Sequence, residues 1–344
     1  MTTQVAAGAE KIGNGRSWTQ ILAQYRQPSP VRSVFEIAAT VLPFIALWAI
    51  AAAAVMHGQY WGLLLTIPAA GFLVRLFILQ HDCGHGALFA HRGLNNWIGR
   101  TMGVFTLTPY DYWKRTHAVH HASAGNLDRR GIGDVDTKTV AEYRALTRMQ
   151  KIRYRFYRNP LVLFGFGPAW LFVCQYRVPL GLMRAGAQPW VSTIATNLAI
   201  ILPIAIMVWL VGLGTFLMVQ VPITLIAATA GVWLFYVQHQ FEDTHWSNDD
   251  DWSFQHAALH GSSHYDLPFP LQWITGNIGI HHVHHLAAKI PFYRLPEVIR
   301  DYPELKDVSR ITLVQSFKCV NLTLWDEAAG RLVSFREERI ARFA

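Results

Sequence analysis

Sixteen histidines occur in these 344 residues, and nine of them fall in three short runs. His81-Asp82-Cys83-Gly84-His85 carries two at i and i+4. His117-Ala118-Val119-His120-His121 carries three at i, i+3 and i+4, and His281-His282-Val283-His284-His285 repeats that spacing through His281, His284 and His285. On a helix these offsets share one face, so each run lines up two or three imidazoles along a ridge. Such ridges repel if every ring is protonated. A metal ion bound by neutral imidazoles removes the repulsion. Taken singly, the first pair also fits two histidines at a surface, and the second run an exposed polar face. Three such runs in one chain point to metal. His282 leaves the ridge of its own run and is not counted as a ligand.

Eight imidazoles exceed what one ion uses and suit two ions of the iron, copper or zinc type. Structural zinc takes Cys and His in a closed tetrahedron, but Cys83, Cys174 and Cys319 are scattered and form no CxxC pair. Soluble di-iron bundles use carboxylates and Glu-x-x-His motifs; this chain uses histidine. His256, His260 and His264 also stand at i, i+4 and i+8, and read as a polar helix face. His57 and His91 have no partner at ligand spacing. A carboxylate that accepts the second N–H of a ligating imidazole fixes its tautomer. Among the nearby acids, Asp82 and Asp243 are candidates for that role. Glu242 is a further neighbour, and Asp249 to Asp251 read as a solvated loop.

The elements that must position these runs are membrane helices. The chain is 52% hydrophobic and 15% charged, against about 25% charged in a soluble domain. Apolar stretches at about 34–56, 60–80, 190–211 and 215–237 each have roughly 20 or more residues, enough to cross the hydrocarbon core. His57-Gly58-Gln59 and Gly212-Leu213-Gly214 separate the members of each pair, so two tight hairpins are predicted. Neither turn contains Lys or Arg. Apart from Arg75, expected to snorkel from the second span, the basic residues lie in the N-terminal tail, the loop between hairpins and the C-terminal region. The positive-inside rule places those three segments in the cytoplasm. The net charge of +8 then reports topology and attraction to anionic lipid, with no need for nucleic acid. Residues 1–33 are predicted as a partly disordered cytoplasmic tail without a cleavable signal peptide, residues 34–295 as the membrane domain, and 296–344 as a cytoplasmic C-terminal region. Leu94–Leu107 and Asn159–Val178 are amphipathic segments; the second is expected to lie at the interface, with a fifth span as the competing reading. The predicted fold is all-α: four transmembrane helices in two hairpins, with a cytoplasmic helical cap over the metal.

HxxxH, HxxHH and HxxHH in this order, interleaved with two hairpins, resemble the membrane fatty-acid desaturase and hydroxylase superfamily. The wording His81-Asp-Cys-Gly-His85, the segment Tyr236–Trp246 and the segment Gly276–Leu295 are similar to acyl-lipid desaturases of the bacterial and plastid Δ12/ω6 type. The likeness covers roughly Pro43 to Arg294. It implies one further histidine ligand just after the last span, a place that His239 matches and for which His245 competes. The implied ligand set is thus His81, His85, His117, His120, His121, His239, His281, His284 and His285.

The resemblance also implies two iron ions (Fe2+), O2 as co-substrate, and insertion of a cis double bond into a fatty acyl lipid or acyl thioester. A hydroxylase or ketolase of the same superfamily is the alternative, and a His-rich metal transporter a remote one. The sequence contains no CxxCH, no iron–sulfur cysteine set and no GxGxxG loop. Electrons are therefore expected from a separate donor, ferredoxin or a similar protein, for which a basic cytoplasmic face suits an acidic partner. The expected location is the bilayer of a bacterial inner membrane, with termini and histidine runs on the cytoplasmic side.

Overall fold

The architecture is read from a computed structural model in which residues 17–341 are described. Of the expected tail, residues 1–16 lie outside that range. The principal helices are α1 (Pro30–Met56), α2 (Thr66–His85), α3 (Arg92–Phe105), α4 (Tyr110–Ser123), α5 (Ala187–Val211), α6 (Leu213–His239), α7 (Phe254–His260) and α8 (His281–Leu286). Four helical stretches are long and apolar enough to cross a membrane: 30–56, 60–85, 187–211 and 213–239. The second and fourth run past the predicted ends at 80 and 237. Those last turns carry His81, His85 and His239.

Local sequence explains the boundaries. Ser29 accepts from the backbone N–H of Arg32, and Pro30 sits in the first turn of α1, where its missing N–H costs nothing. At the other end of α2, Gly86 adopts the left-handed conformation (φ 68). Its N–H donates to the Cys83 carbonyl at 3.0 Å, and that of Ala87 to Asp82 at 2.9 Å. This 5→2, 6→1 pair is a Schellman cap, and it stops the helix one residue after His85.

α2 is the central helix and packs against α1, α3 and α6. Ala69 and Ala70 on α2, with Ala51 and Ala52 on α1, are fully buried; small side chains let membrane helices approach closely. α5 is the reverse case. It turns Leu198, Leu202 and Trp209 outward, Trp209 82% exposed. An uncharged helix with such a surface requires an apolar solvent.

Arg75 does not snorkel. It is 1% exposed and forms an ion pair with Glu36 of α1, itself 1% exposed. It also donates to the Trp273 carbonyl and lies 4.2 Å over that indole ring. Glu36 takes a second bond from Arg32 at 2.7 Å. A partner inside the protein offsets desolvation that snorkelling would otherwise avoid.

The segment after Tyr157 is a broken helix and is not among the four spanning stretches. Two wide π-turns, Val162–Phe166 and Trp170–Cys174, flank Gly167-Pro168. Pro168 has no N–H for the carbonyl four residues back, that of Phe164. The Thr229 hydroxyl donates to it instead, at 2.8 Å.

The chain is not wholly helical. Five short strands occur among the described residues: β1 (Lys138–Thr139), β2 (His264–Asp266), β3 (Arg310–Thr312), β4 (Leu324–Asp326) and β5 (Arg331–Val333). β2 pairs in parallel with β3, His264 opposite Arg310. β4 pairs in parallel with β1 and antiparallel with β5. These pairings draw the C-terminal region back to the ends of the long helices. Arg158, 2% exposed, completes the join by donating to the Tyr236 hydroxyl at 3.1 Å and the Leu322 carbonyl at 2.7 Å. Strands of two or three residues leave too little alternation to be read from sequence. The N-terminal segment from Ser17 is also packed: Trp18, Leu22 and Tyr25 are buried, and Tyr25 donates to Asp301 at 2.7 Å.

Removing one member of the Glu36–Arg75 pair strands a buried charge. Arg75→Met is expected to destabilise the fold by about 3–5 kcal/mol, and Glu36→Met with Arg75→Met by much less. Thermal melting in detergent checks this; an unchanged melting temperature in Arg75→Met would show that the pair does not hold the helices together.

Candidate metal centre

Four elements deliver histidines to one layer. His81 and His85 occupy the last turn of α2, His117, His120 and His121 lie on α4, His239 ends α6, and His281, His284 and His285 lie on α8. α8 has only six residues and needs outside support. The Tyr265 N–H donates to the Gly279 carbonyl at 2.7 Å, just before it. His282 donates through Nε2 to the Leu305 carbonyl at 2.9 Å. That bond points His282 away from its three neighbours, as the helical offset requires.

The nine remaining histidines fall into two groups. His81, His85, His117, His121 and His284 form one, and His120, His239, His281 and His285 the other; within each, one ligand nitrogen per residue lies within 4.8 Å of all the rest. Both HxxHH runs split between the groups. On α4, His117 and His121 go to the first group and His120 to the second. On α8, His284 goes to the first, and His281 and His285 to the second.

The nitrogen spacing tests whether metal fits. In the first group His117 Nε2 lies 3.1 Å from both His85 Nε2 and His121 Nε2, and His284 Nε2 lies 3.2 Å from His121 Nε2. In the second, His239 Nε2 lies 3.1 Å from His120 Nε2 and 3.0 Å from His281 Nε2. His285 Nε2 is 3.1 Å from His281 Nε2. A ring nitrogen has one proton or one lone pair, so His117, His239 and His281 cannot bond two neighbours at once. A central cation can serve them all. With metal–nitrogen bonds of 2.0–2.1 Å, cis ligands sit about 3.0 Å apart at right angles and about 3.4 Å apart in a tetrahedron. The observed spacings of 3.0–3.2 Å fall in the range that ligands of one ion take up.

The surroundings suit neutral imidazole. All four members of the second group are buried; in the first, His81 and His284 are buried and the others half-buried. Burial, then the neighbouring rings, holds His117, His121, His281, His284 and His285 well below the ordinary histidine pKa. Their lone pairs are therefore free at neutral pH. The Trp113 ring stacks on His117 at 4.6 Å, and Phe235 lies 5.1 Å from His120.

The carboxylates stand differently from expectation. Asp82 is buried beside His81, but its Oδ2 accepts the backbone N–H of Phe292 at 2.7 Å, and its Oδ1 is 3.5 Å from His81 Nδ1, too long for a hydrogen bond. Asp243 is exposed in the turn after α6 and bonds no histidine among the described residues. The carboxylate that does reach a ring is Asp134, whose Oδ1 is 2.5 Å from His120 Nδ1. It lies thirteen residues beyond His121 in an irregular loop, where no helical spacing signals it. His245 is exposed and apart from both groups, its ring 4.7 Å from His256, which is 4.6 Å from His260. His264 is not on that helix face: it lies in β2 and bonds the Lys306 carbonyl at 2.5 Å.

Four membrane-length helices, two of which (α2 and α6) end at convergent imidazole groups that could each hold a metal ion, mark a membrane protein with a candidate two-metal site. The sequence profile described as "Fatty acid desaturase" matches residues 58–311. A fatty acid desaturase of Bacillus subtilis is 43% identical over 336 residues, 98% of this chain and 94% of that protein. An sn-1 acyl-lipid omega-3 desaturase (ferredoxin) of Synechocystis is 31% identical over 233 residues, 64% of this chain and 61% of its own. An sn-1 oleoyl-lipid 12-desaturase of Synechocystis is 22% identical over 242 residues, 65% and 63% of the two chains. The chain belongs to the fatty acid desaturase family. It is an oxidoreductase of lipid metabolism.

Two outcomes follow from the geometry. His239→Ala is expected to lower bound metal from two ions per chain toward one, and His245→Ala to leave two, measured by elemental analysis of purified protein. Equal metal in His239→Ala and the parent would remove His239 from the site. In the metal-free protein the depressed histidines favour the fold fully above their unfolded pKa of about 6.5. Melting temperature should therefore hold above that pH and fall below it, as unfolding takes up protons the native rings refuse.

Proposed function

We propose that the chain is an O2-dependent fatty acyl desaturase that inserts a cis double bond into an acyl chain of a membrane lipid or acyl thioester. The observation that carries this reading is the convergence of nine imidazoles on two centres at the ends of membrane helices, in a chain of the desaturase family. The five-histidine and four-histidine groups would hold two iron ions (Fe2+). When bound, they supply the oxidising power, drawn from O2, that an unactivated methylene pair requires and no side chain has.

The protein's own part is placement and exclusion. The histidines act as ligands and not as acids or bases. Trp113, with Phe77 at 5.4 Å and Phe172 beyond it at 6.2 Å from Phe77, forms an aromatic wall beside His81 and His117. An acyl chain lying along that wall presents adjacent methylenes to the metals and keeps water out. Two hydrogens leave the substrate; two electrons and two protons from outside complete reduction of O2 to two waters. Ferredoxin is named for the Synechocystis omega-3 relative, which supports a separate small electron carrier here too.

The same reading takes α1 with α2 and α5 with α6 as two hairpins in a bacterial inner membrane. The remaining elements then form a cytoplasmic cap, with residues 34–295 as the membrane domain and both flanks on the cytoplasmic side. The lack of Lys and Arg in the turns at 57–59 and 212–214 supports that orientation.

Cells expressing the chain should contain a new fatty acid lacking two hydrogens relative to its saturated parent, absent with His284→Ala. Mass spectrometry of methyl esters reads this directly. A product that gains one oxygen instead would overturn desaturation in favour of hydroxylation.

A further inference from the structure

Among the four histidines of the buried group, the outer nitrogens are treated unequally. His281 Nδ1 has no hydrogen-bond partner among the described residues. His239 Nδ1 faces the Gly261 carbonyl at 3.3 Å, a long contact. His120 Nδ1 meets Asp134 Oδ1 at 2.5 Å, with the histidine side chain 2% and the aspartate 19% exposed. A carboxylate only accepts, so Nδ1 carries the proton and Nε2 presents its lone pair to His239 and the centre of the group.

The loop that brings Asp134 there is built for it. Gly133 has φ +83, and a Cβ on it would stand 3.1 Å from the Thr116 carbonyl and 3.2 Å from His120 Cβ. The backbone therefore lies directly on α4, in a conformation that side chains resist. Arg130 pins the loop's base, donating to the Leu127 and Thr137 carbonyls at 2.7 Å each and to Glu142 at 2.8 Å. Asp134 Oδ2 takes the Gly131 N–H at 3.4 Å, which turns the other oxygen toward the ring.

We propose that Asp134 is a positioning residue for the four-histidine metal site: it fixes the tautomer and ring plane of His120, and so sets how tightly that one ion is held. The inference rests on the reading of the two histidine groups as metal sites. It adds that the sites are supported unequally, with the only histidine–carboxylate bond within 3.0 Å among the described residues serving the buried one. Carboxylates in this position typically change metal affinity by about 10–100-fold when removed.

The test uses purified full-length protein in detergent, loaded anaerobically with Fe2+ or with Co2+ as an optical probe. Metal per chain is followed during challenge with a chelator, and folding is monitored by size exclusion and melting of the metal-free form. The parent should retain two ions. Asp134→Ala should lose one of them roughly 10–100-fold more readily, with the Co2+ bands of only that ion altered. Asp134→Asn, which keeps an accepting oxygen, should recover part of the retention. Gly133→Ala, which pushes the loop off α4, should resemble Asp134→Ala with its carboxylate intact, and it carries the test if Asp134→Ala does not fold. Two ions held by both Asp134→Ala and Gly133→Ala with the parent's resistance and bands would overturn the role of Asp134. A parent that binds no metal would overturn the metal reading itself, and this inference with it.

Discussion

The structure is organised around a crowd of lone pairs. Nine imidazoles point ring nitrogens into two small volumes, with neighbouring Nε2 atoms 3.0–3.2 Å apart. Without a cation these nitrogens can satisfy only some of one another, and buried polar atoms left unpaired are costly. Everything around them resists that crowding. α2 is capped one residue after His85, α6 runs to His239 without fraying into a loop, and the six-residue α8 is tied down through Tyr265 and His282. A helix so short has little stability of its own; its geometry is borrowed from β2 and from the turn at Leu305. The C-terminal region is thus part of the site's support, although it contributes no ligand.

A second constraint acts within the membrane helices. Glu36 and Arg75 are both buried, in helices otherwise chosen for apolar side chains. Arg75 also reaches the Trp273 carbonyl, on the chain just before α8. Asp82, next to His81, binds the N–H of Phe292, just after α8. One side-chain to backbone hydrogen bond on each side of α8 therefore links it to α2. The same central helix that ends in two ligands also locates the element carrying three more, so ligand spacing between distant parts of the chain does not depend on loops.

How much of this could be read from sequence depends on range. The offsets within each histidine run, the exclusion of His282 and the four apolar spans are local patterns, and the helices carry them. The partition into two groups is not local. His120 and His121 are adjacent yet serve different centres, because α4 passes between the two and consecutive residues point about 100° apart. His256, His260 and His264 formed a tidy helical series on paper, but Gly261 ends α7 and β2 begins at His264, so the third leaves the face. Arg75 departs from the snorkelling expectation because its acidic partner lies 39 residues away on another helix. Asp134 was invisible for a similar reason: a glycine-bracketed loop folds back on α4, and no periodicity marks a residue that reaches its target by a turn. The short strands that hold the C-terminal region are the same case on a larger scale.

The choice of histidine over carboxylate has an electrostatic consequence. Nine neutral ligands would leave the charge of two divalent ions uncompensated within the site. Soluble carboxylate bundles neutralise theirs at the ligands themselves. Here two carboxyl groups approach the histidines from just outside: Asp134 beside the four-histidine group and Asp82 beside the five-histidine group. Asp82 Oδ1 is buried without a hydrogen-bond partner among the described residues, an arrangement that a nearby cation would favour. Asp134 is half-open to solvent and bonded to its ring, whereas Asp82 is enclosed and acts through space. The two groups therefore differ in the solvent access of their nearest carboxylate as well as in histidine number.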